Sequence, residues 1–180
     1  MQIRGEKVTI RTTTHDDLAN VMALWNDGRV MQWVGFPNGL NYDKVKISKW
    51  FDKLPREPNC QHFVVYVKSV GFCGGVYYAA DLAHRRAGLD IKFVPEAQGQ
   101  GLATDALKTL FRHVFETQKD VEVVWTEPAE VNDSARKLYA RCGLRLEPPP
   151  SDMAQGQAYW ALSRETWSAT QQTRQSTRAR

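Results

Sequence analysis

Two periodicities of apolar residues alternate along the chain. Short β-branched and aromatic runs predict strands, and segments in which apolar residues recur every three or four positions predict helices. The strand-like segments are residues 3–11, 62–68, 69–80, 86–94, 121–126, 144–147 and 158–163. The helical segments are residues 18–25, 47–54, 102–117 and 132–142. This order predicts one α/β domain of the α+β type, with a mixed, mostly antiparallel sheet of six to seven strands flanked by about four helices.

Capping residues support the predicted helix boundaries. Thr14 and Asp17 form a loose capping box before the first helical segment, and Asn132 is a favourable N-cap before the last. Gly143 follows that helix, where glycine commonly ends helices. Residues 28–41 contain aromatic residues, proline and glycine without either period, so we expect a loop there.

Composition distinguishes residues 1–167 from the last 13 residues of the chain. The chain has 180 residues, 42% hydrophobic and 24% charged, which is near the average for a globular domain. Residues 168–180 carry three arginines, no acid and no large apolar residue, and account for most of the net charge of +4. We therefore expect a folded domain over residues 1–167 and a disordered basic tail over 168–180. Nucleic acid is not favoured as a partner, although RNA binding through the tail is the third-ranked reading of the sequence.

Several classes of protein are not favoured by the sequence. The longest uncharged run, residues 30–42, is shorter than the roughly 20 residues that a membrane-spanning helix needs. The charged N-terminus does not resemble a signal peptide. Three cysteines at unrelated spacings suggest neither a zinc site nor a disulfide framework, and the sequence has no GxSxG hydrolase elbow. We expect a cytoplasmic protein that binds neither a metal ion nor a membrane.

Residues 93–103 (FVPEAQGQGLA) join a predicted strand directly to a predicted helix. A helix N-terminus presents unpaired backbone N–H groups and the positive end of the helix dipole. Gly99 and Gly101 remove side chains that would keep a ligand away, so the segment could bind a phosphate or pyrophosphate. It matches neither the dinucleotide-binding GxGxxG fingerprint nor the P-loop. A glycine-rich turn without a ligand is the alternative.

Three segments together resemble one enzyme superfamily. Residues 98–103 (QGQGLA) look like the acyl-CoA-binding signature of the GNAT N-acetyltransferases, and residues 132–144 (NDSARKLYARCGL) resemble the segment that follows it. The opening, residues 8–27, is similar to the branch that contains the ribosomal-protein N-terminal acetyltransferases. The resemblance covers about residues 3–165 and makes residues 1–167 a GNAT-like domain.

The resemblance implies an enzyme that transfers an acetyl group from acetyl-CoA directly to a primary amine in a ternary complex. The amine would belong to a protein N-terminus or to a small molecule. Tyr139 would protonate the departing thiolate, and a backbone N–H of Phe93 or Val94 would polarise the thioester carbonyl. The residues implied in binding acetyl-CoA are Phe93, Val94, Gln98, Gly99, Gln100, Gly101, Leu102, Ala103, Thr104, Asn132 and Ser134.

The chain departs from the family pattern at its expected general base. Where the branch often has a glutamate, this chain has the sequence AGLD over residues 87–90, so the acid is displaced by two positions. Asp90 and Glu127 are the candidates for accepting the amine proton, and surface acids are the alternative reading of both. Trp33 and Phe36 are expected to shape the acceptor pocket. A silent CoA- or amine-binding module is the alternative function, and homodimer formation is left open.

Overall fold

The computed structural model describes residues 1–156 and 158–178, and gives the backbone alone for residues 174–178. The strands are β1 (Gln2–Arg4), β2 (Thr9–Thr12), β3 (Cys60–Val67), β4 (Gly71–Asp81), β5 (Arg86–Phe93), β6 (Val123–Thr126), β7 (Arg145–Glu147) and β8 (Tyr159–Ser163). The α-helices are α1 (Leu18–Asn26), α2 (Gly28–Met31), α3 (Lys44–Phe51), α4 (Leu102–Thr117), α5 (Asp133–Cys142) and α6 (Arg164–Arg178). Short 3₁₀ turns occupy His15–Asp17, Gln32–Val34, Leu54–Arg56 and Pro95–Ala97.

All the strands of the described residues form one sheet, in the order β1-β2-β3-β4-β5-β6-β8-β7. Neighbouring strands in this part of the chain are antiparallel except β5 and β6, which are parallel. The predicted mixed, mostly antiparallel α/β domain is confirmed. The sheet has eight strands rather than six to seven because the first predicted strand turns back on itself and becomes β1 and β2.

The core lies on both faces of the sheet, as the alternation within β3 illustrates. Phe63 and Val65 are completely buried in the cluster that includes α4, whereas Val64 points the other way into a cluster with α1 and α3. The apolar stripe of α4 packs on the first face, and Leu107 and Phe111 are completely buried there. Burial of each such side chain stabilises the fold by about 1.5–3 kcal/mol.

Two helices occur where the sequence predicts none. The predicted loop 28–41 begins with α2, whose N-cap Asp27 accepts a hydrogen bond from the Arg29 N–H at 2.8 Å. At the other end of the chain, α6 runs through residues 168–178, whereas composition predicts disorder from residue 168. Residues 179–180 lie outside the described residues.

The start of α6 is held by two side chains. Arg164 donates to the carbonyl oxygens of Phe115 and Gln118 at 2.6 and 2.8 Å, at the negative C-terminal end of α4. Trp167 is buried, and its ring centroid lies 5.8 Å from that of Phe111. Because both anchors precede residue 168, the polar composition of the following residues does not reveal that a helix is already started there.

Strands β5 and β6 separate from each other, and this separation positions the site. They pair only where residues 86–88 of β5 lie beside residues 123–125 of β6. Strand β5 then continues to Phe93 without this neighbour, so the sheet opens into a gap at the end of β6. Among the described helices, none is long and apolar enough to cross a membrane.

Candidate active site

The gap between β5 and β6 continues into a cleft of about 1760 Å³. It runs from the glycine loop before α4, past the facing ends of β5 and β6 and the start of α5, to the 3₁₀ turn after α2. The predicted site residues along its wall are Trp33, Asp90, Phe93, Gln98, Gly99, Gly101, Leu102, Ala103, Thr104, Glu127, Asn132, Ser134 and Tyr139. Within the described residues, the predicted Phe36, Val94 and Gln100 do not line it.

The glycine loop has the geometry that an anion requires. Gly99 and Gly101 adopt left-handed φ values of 74° and 76°, which favour glycine. Gly101 is the N-cap of α4, and its carbonyl accepts the amide of Asp105 at 3.2 Å. The preceding amides of residues 102–104 are therefore at the start of the helix, where they have no intrahelical acceptor. These amides and the helix dipole together favour a phosphate at this end of the cleft.

Two glutamines shape this loop through their side chains. Gln98 donates from Nε2 to the carbonyl of Phe93 at 3.1 Å, and Gln100 donates to the carbonyl of Glu96 at 3.0 Å. The first bond ties the loop to the end of β5, and the second ties it to the 3₁₀ turn that follows β5. The glutamine of the signature thus helps to form the loop, whereas the sequence analysis predicts only cofactor binding for it.

The backbone of β5 turns polar groups toward the gap. The Thr126 hydroxyl of β6 donates to the Leu89 carbonyl at 3.2 Å, so the backbone groups of Leu89 face β6. By the two-residue period of a strand, those of Phe93 point to the same side. The amide of Val94 is instead bonded to the Cys73 carbonyl at 3.0 Å. Of the two predicted amides, Val94 is thus unavailable, and Phe93 retains the suitable orientation.

Tyr139 lies at the base of the cleft on α5. Asn132 begins this helix by accepting the Ala135 amide at 3.1 Å, and Gly143 ends it with φ 99°, as the sequence predicts. Tyr139 is 6% exposed, and this burial raises the pKa of its phenol to about 12, against an opposing effect of a hydrogen bond with Thr126. The phenol is therefore protonated at neutral pH and can act as a proton donor.

Asp90 belongs to a row of polar side chains that crosses three strands. His62 of β3 lies opposite Tyr77 of β4, and Tyr77 lies opposite Asp90 of β5, so all three point to one face of the sheet. The Asp90 carboxylate is half exposed and forms an ion pair with the ammonium of Lys92. Glu127 is exposed just after β6, on the opposite side of the gap.

The position two residues before Asp90, where the family pattern often has a glutamate, is a glycine beside an indole. Gly88 lies beside Trp125 of β6, and a Cβ built on Gly88 would already be 3.5 Å from the indole. This is an ordinary van der Waals distance, so the indole adjoins position 88 without excluding a Cβ there. Asp90 is two residues further along β5 and points to the same face.

Sequence reasoning missed four residues around the acid: His62, Tyr77, Lys92 and Trp125. His62 is buried between Thr13, whose hydroxyl lies 2.7 Å from Nδ1, and the ring of Trp50, whose centroid is 5.0 Å away. Burial lowers the pKa of His62 to about 4, so the imidazole is neutral at pH 7. The sequence signal for the group is the alternation of each strand, but the register between strands is needed to combine them.

The predicted aromatic wall is only partly assembled. Trp33, in the turn after α2, lines the cleft with 42% of its surface exposed. Phe36 is 47% exposed but lies outside the lining. In the described part of the chain, no group of three His, Cys, Asp or Glu side chains could hold a metal ion.

Comparison with known proteins identifies the family. Residues 7–145 match the family model of the acetyltransferase (GNAT) domain. The spermidine N(1)-acetyltransferase of Escherichia coli K12 is 30% identical over 147 residues, which are 79% of this chain and 75% of that protein.

Solved structures show the same fold at lower identity. Spermidine N-acetyltransferase from Vibrio cholerae, in complex with CoA and spermine, has a TM-score of 0.74 at 21% identity and covers 89% of this chain and 98% of its own. The ribosomal L7/L12 α-N-protein acetyltransferase RimL, in complex with CoA, has a TM-score of 0.74 at 13% identity, with 92% and 99% covered. These findings lend no support to a silent binding module. The chain belongs to the GNAT acetyltransferase family and is an acetyl-CoA-dependent N-acetyltransferase.

Proposed function

We propose that this enzyme acetylates a primary amine of a small, aliphatic, cationic molecule of the polyamine class. The observation that carries the proposal is the continuity of the cleft, which joins the glycine loop to the carboxylates of Asp90 and Glu127. The aromatic side chains of Trp33, Tyr77 and Trp125 line the same cleft, and such rings attract cations. The 30% identity to a spermidine acetyltransferase supports the same substrate class.

The glycine loop and β5 would hold the acetyl donor. Amides of residues 99–104 would bind the pyrophosphate of acetyl-CoA, with the Thr104 hydroxyl as a further donor. The donor supplies a thioester, an acyl group that amines can attack. The Phe93 amide would donate a hydrogen bond to the thioester carbonyl oxygen and stabilise the negative charge that develops there.

A carboxylate would then remove a proton from the acceptor. A primary ammonium with a pKa near 10.4 has no lone pair, so it must lose a proton before it can attack. Asp90 and Glu127 line the cleft on opposite sides of the gap, and the acceptor would bind between them. Asp90 is paired with Lys92, so an incoming ammonium would compete with the Lys92 ammonium for that carboxylate.

Tyr139 would complete the transfer. The amine nitrogen forms a bond to the acetyl carbon and loses its second proton to solvent, the carbon–sulfur bond breaks, and the departing thiolate takes the phenolic proton, which Tyr139 regains from solvent. The high pKa of Tyr139, about 12, keeps this proton in place at neutral pH until a thiolate forms. The products are the N-acetylated amine and CoA, and no covalent enzyme intermediate is required.

The acceptor class can be tested by measuring CoA thiol release with matched amines. Spermidine and butylamine offer the same kind of primary amine, but only spermidine carries additional cationic nitrogens. We expect kcat/KM to be at least about tenfold higher for spermidine, since charged contacts with the acids are worth about 1.5 kcal/mol or more. A peptide with a free N-terminus is the third substrate, and a preference for that peptide would overturn the proposal.

A further inference from the structure

The turn between β1 and β2 is attached to the first turn of α4 by one carboxylate. Asp105 accepts hydrogen bonds from the backbone amides of Glu6, Lys7 and Val8 at 3.0, 2.6 and 2.9 Å. Gly5 permits the close approach, because a Cβ there would lie only 2.5 Å from an Asp105 carboxylate oxygen. Three amides converging on one carboxylate give the turn a defined position beside the glycine loop.

This attachment places the Lys7 ammonium at the N-terminal end of α4. Its Nζ donates to the Gln100 carbonyl at 3.3 Å and lies 3.2 Å from where a Cβ of Gly101 would stand. A cation at the positive end of a helix dipole is electrostatically unfavourable unless an anion is also present. Among the described residues, the Lys7 ammonium is in no ion pair: its hydrogen bond goes to the Gln100 carbonyl, and the nearby Asp105 carboxylate faces the three amides of the β1–β2 turn. The arrangement therefore favours an anion from outside the chain.

We propose that Lys7 binds the pyrophosphate of acetyl-CoA and that Asp105 is its positioning residue. This inference rests on the proposed assignment of the glycine loop to the pyrophosphate. Lys7 contacts the loop itself, whereas Lys108 and Arg112 line the cleft further along α4. The pyrophosphate is therefore the partner of Lys7 in preference to the other phosphate of CoA, which is attached to the ribose.

The test is a calorimetric titration of the full chain with CoA and with dephospho-CoA, which lacks the ribose phosphate. Lys7→Met keeps most of the aliphatic stem and removes the charge. We expect it to weaken binding of both ligands about tenfold, the effect of one charge-assisted hydrogen bond. Lys44→Met is the matched control, because Lys44 is exposed and outside the cleft. Unchanged affinity, or a loss confined to CoA, would overturn the role of Lys7.

The role of Asp105 is tested by combining variants. If Asp105 acts through Lys7, Lys7→Met should weaken CoA binding by less than about twofold in the Asp105→Ala background. A full tenfold loss in that background would contradict the positioning role. If Asp105→Ala does not fold, Asp105→Asn replaces it in the same double-mutant cycle. Asn retains one oxygen acceptor, so the expected effect is smaller. The wild-type titration tests the glycine-loop assignment separately, since absence of wild-type binding would refute that assignment and not only the role of Lys7.

Discussion

The two ends of the cleft are built from different parts of the polypeptide. The end proposed to bind the cofactor, called the cofactor end, consists mainly of backbone: the loop of residues 99–101, the start of α4 and the capped start of α5. The end proposed to bind the acceptor, called the acceptor end, consists of side chains that neighbouring strands bring together, such as Tyr77, Asp90 and Trp125. Backbone geometry follows from short, contiguous sequence motifs, whereas the side-chain cluster depends on the register of the whole sheet.

This difference explains how much of the site the sequence predicts. Residues 98–103 and 132–143 each contain their own signals, namely left-handed glycines and an Asn cap, so their positions are correctly anticipated. At the expected base position, by contrast, Gly88 lies beside Trp125, which is 37 residues further along the chain. No local pattern in AGLD reveals this contact. Sequence reasoning therefore predicts the cofactor end with more detail than the acceptor end.

The prediction of the fold shows the same contrast between local sequence signals and contacts between distant residues. The periodicities predict α4 over residues 102–117, which is the observed span. They do not predict that β1 and β2 are separate strands, because Asp105 holds the turn between them from about a hundred residues away. Nor do they exclude the Val94 amide as an oxyanion donor, since its bond to Cys73 exists only when β4 lies beside β5.

The largest expected effect comes from the residue where the two ends meet. Tyr139→Phe removes the phenolic proton but keeps the ring in its buried position. Turnover should fall by roughly 10- to 10⁴-fold, with nearly unchanged affinity for acetyl-CoA. Single-turnover kinetics and calorimetry measure the two quantities separately.

The pH dependence of the reaction rate provides a second test of the role of Tyr139. Since its pKa is about 12, the wild-type enzyme should not lose activity through deprotonation of this phenol between pH 8 and roughly pH 11. An unchanged rate in Tyr139→Phe would remove the residue from the mechanism. A wild-type decline centred near pH 9 that Tyr139→Phe abolishes would contradict the raised pKa.

The next effect distinguishes the two acids of the acceptor end. Whichever of Asp90→Asn and Glu127→Gln removes the general base should lower kcat by about 10²-fold or more and abolish the low-pH limb of the rate profile. Lys92→Met is the matched control, because it breaks the Asp90 ion pair and leaves the carboxylate. Full activity of both acid variants would show that neither carboxylate is the base.

The smallest effect at neutral pH is expected from His62, which lies beside the cleft residue Tyr77 and contributes to the stability of the fold. Its pKa is about 4 in the fold and about 6.5 in an unfolded chain, so between these pH values the unfolded state binds more protons. The free energy of unfolding should therefore decrease as the pH falls from 6.5 to 4, by up to about 3 kcal/mol from this group. Above pH 7 this contribution is constant.

Denaturant titrations across pH would measure it. His62→Asn can keep a hydrogen bond to Thr13 and should remove part of the acid-induced loss of stability. The rest of the loss should remain, because burial also lowers the pKa of His113, which destabilises the fold in acid in the same direction. His84→Asn, at an exposed turn, should keep the His62 contribution. An identical pH dependence in the wild type and His62→Asn would contradict the assignment.

The central claim is that the backbone-built end of the cleft binds CoA independently of the side chains at the acceptor end. It is tested most directly by calorimetric titration of CoA into the wild type, Gly101→Val, Gly71→Val and Asp90→Asn. Gly101 and Gly71 have similar positive φ values, 76° and 86°, so the two valine variants share the backbone strain, but only Gly101 is in the glycine loop. The account predicts that Gly101→Val weakens CoA binding at least about tenfold while Gly71→Val and Asp90→Asn bind like the wild type. Equal affinities for Gly101→Val and the wild type, or an equally large loss in Asp90→Asn, would contradict it.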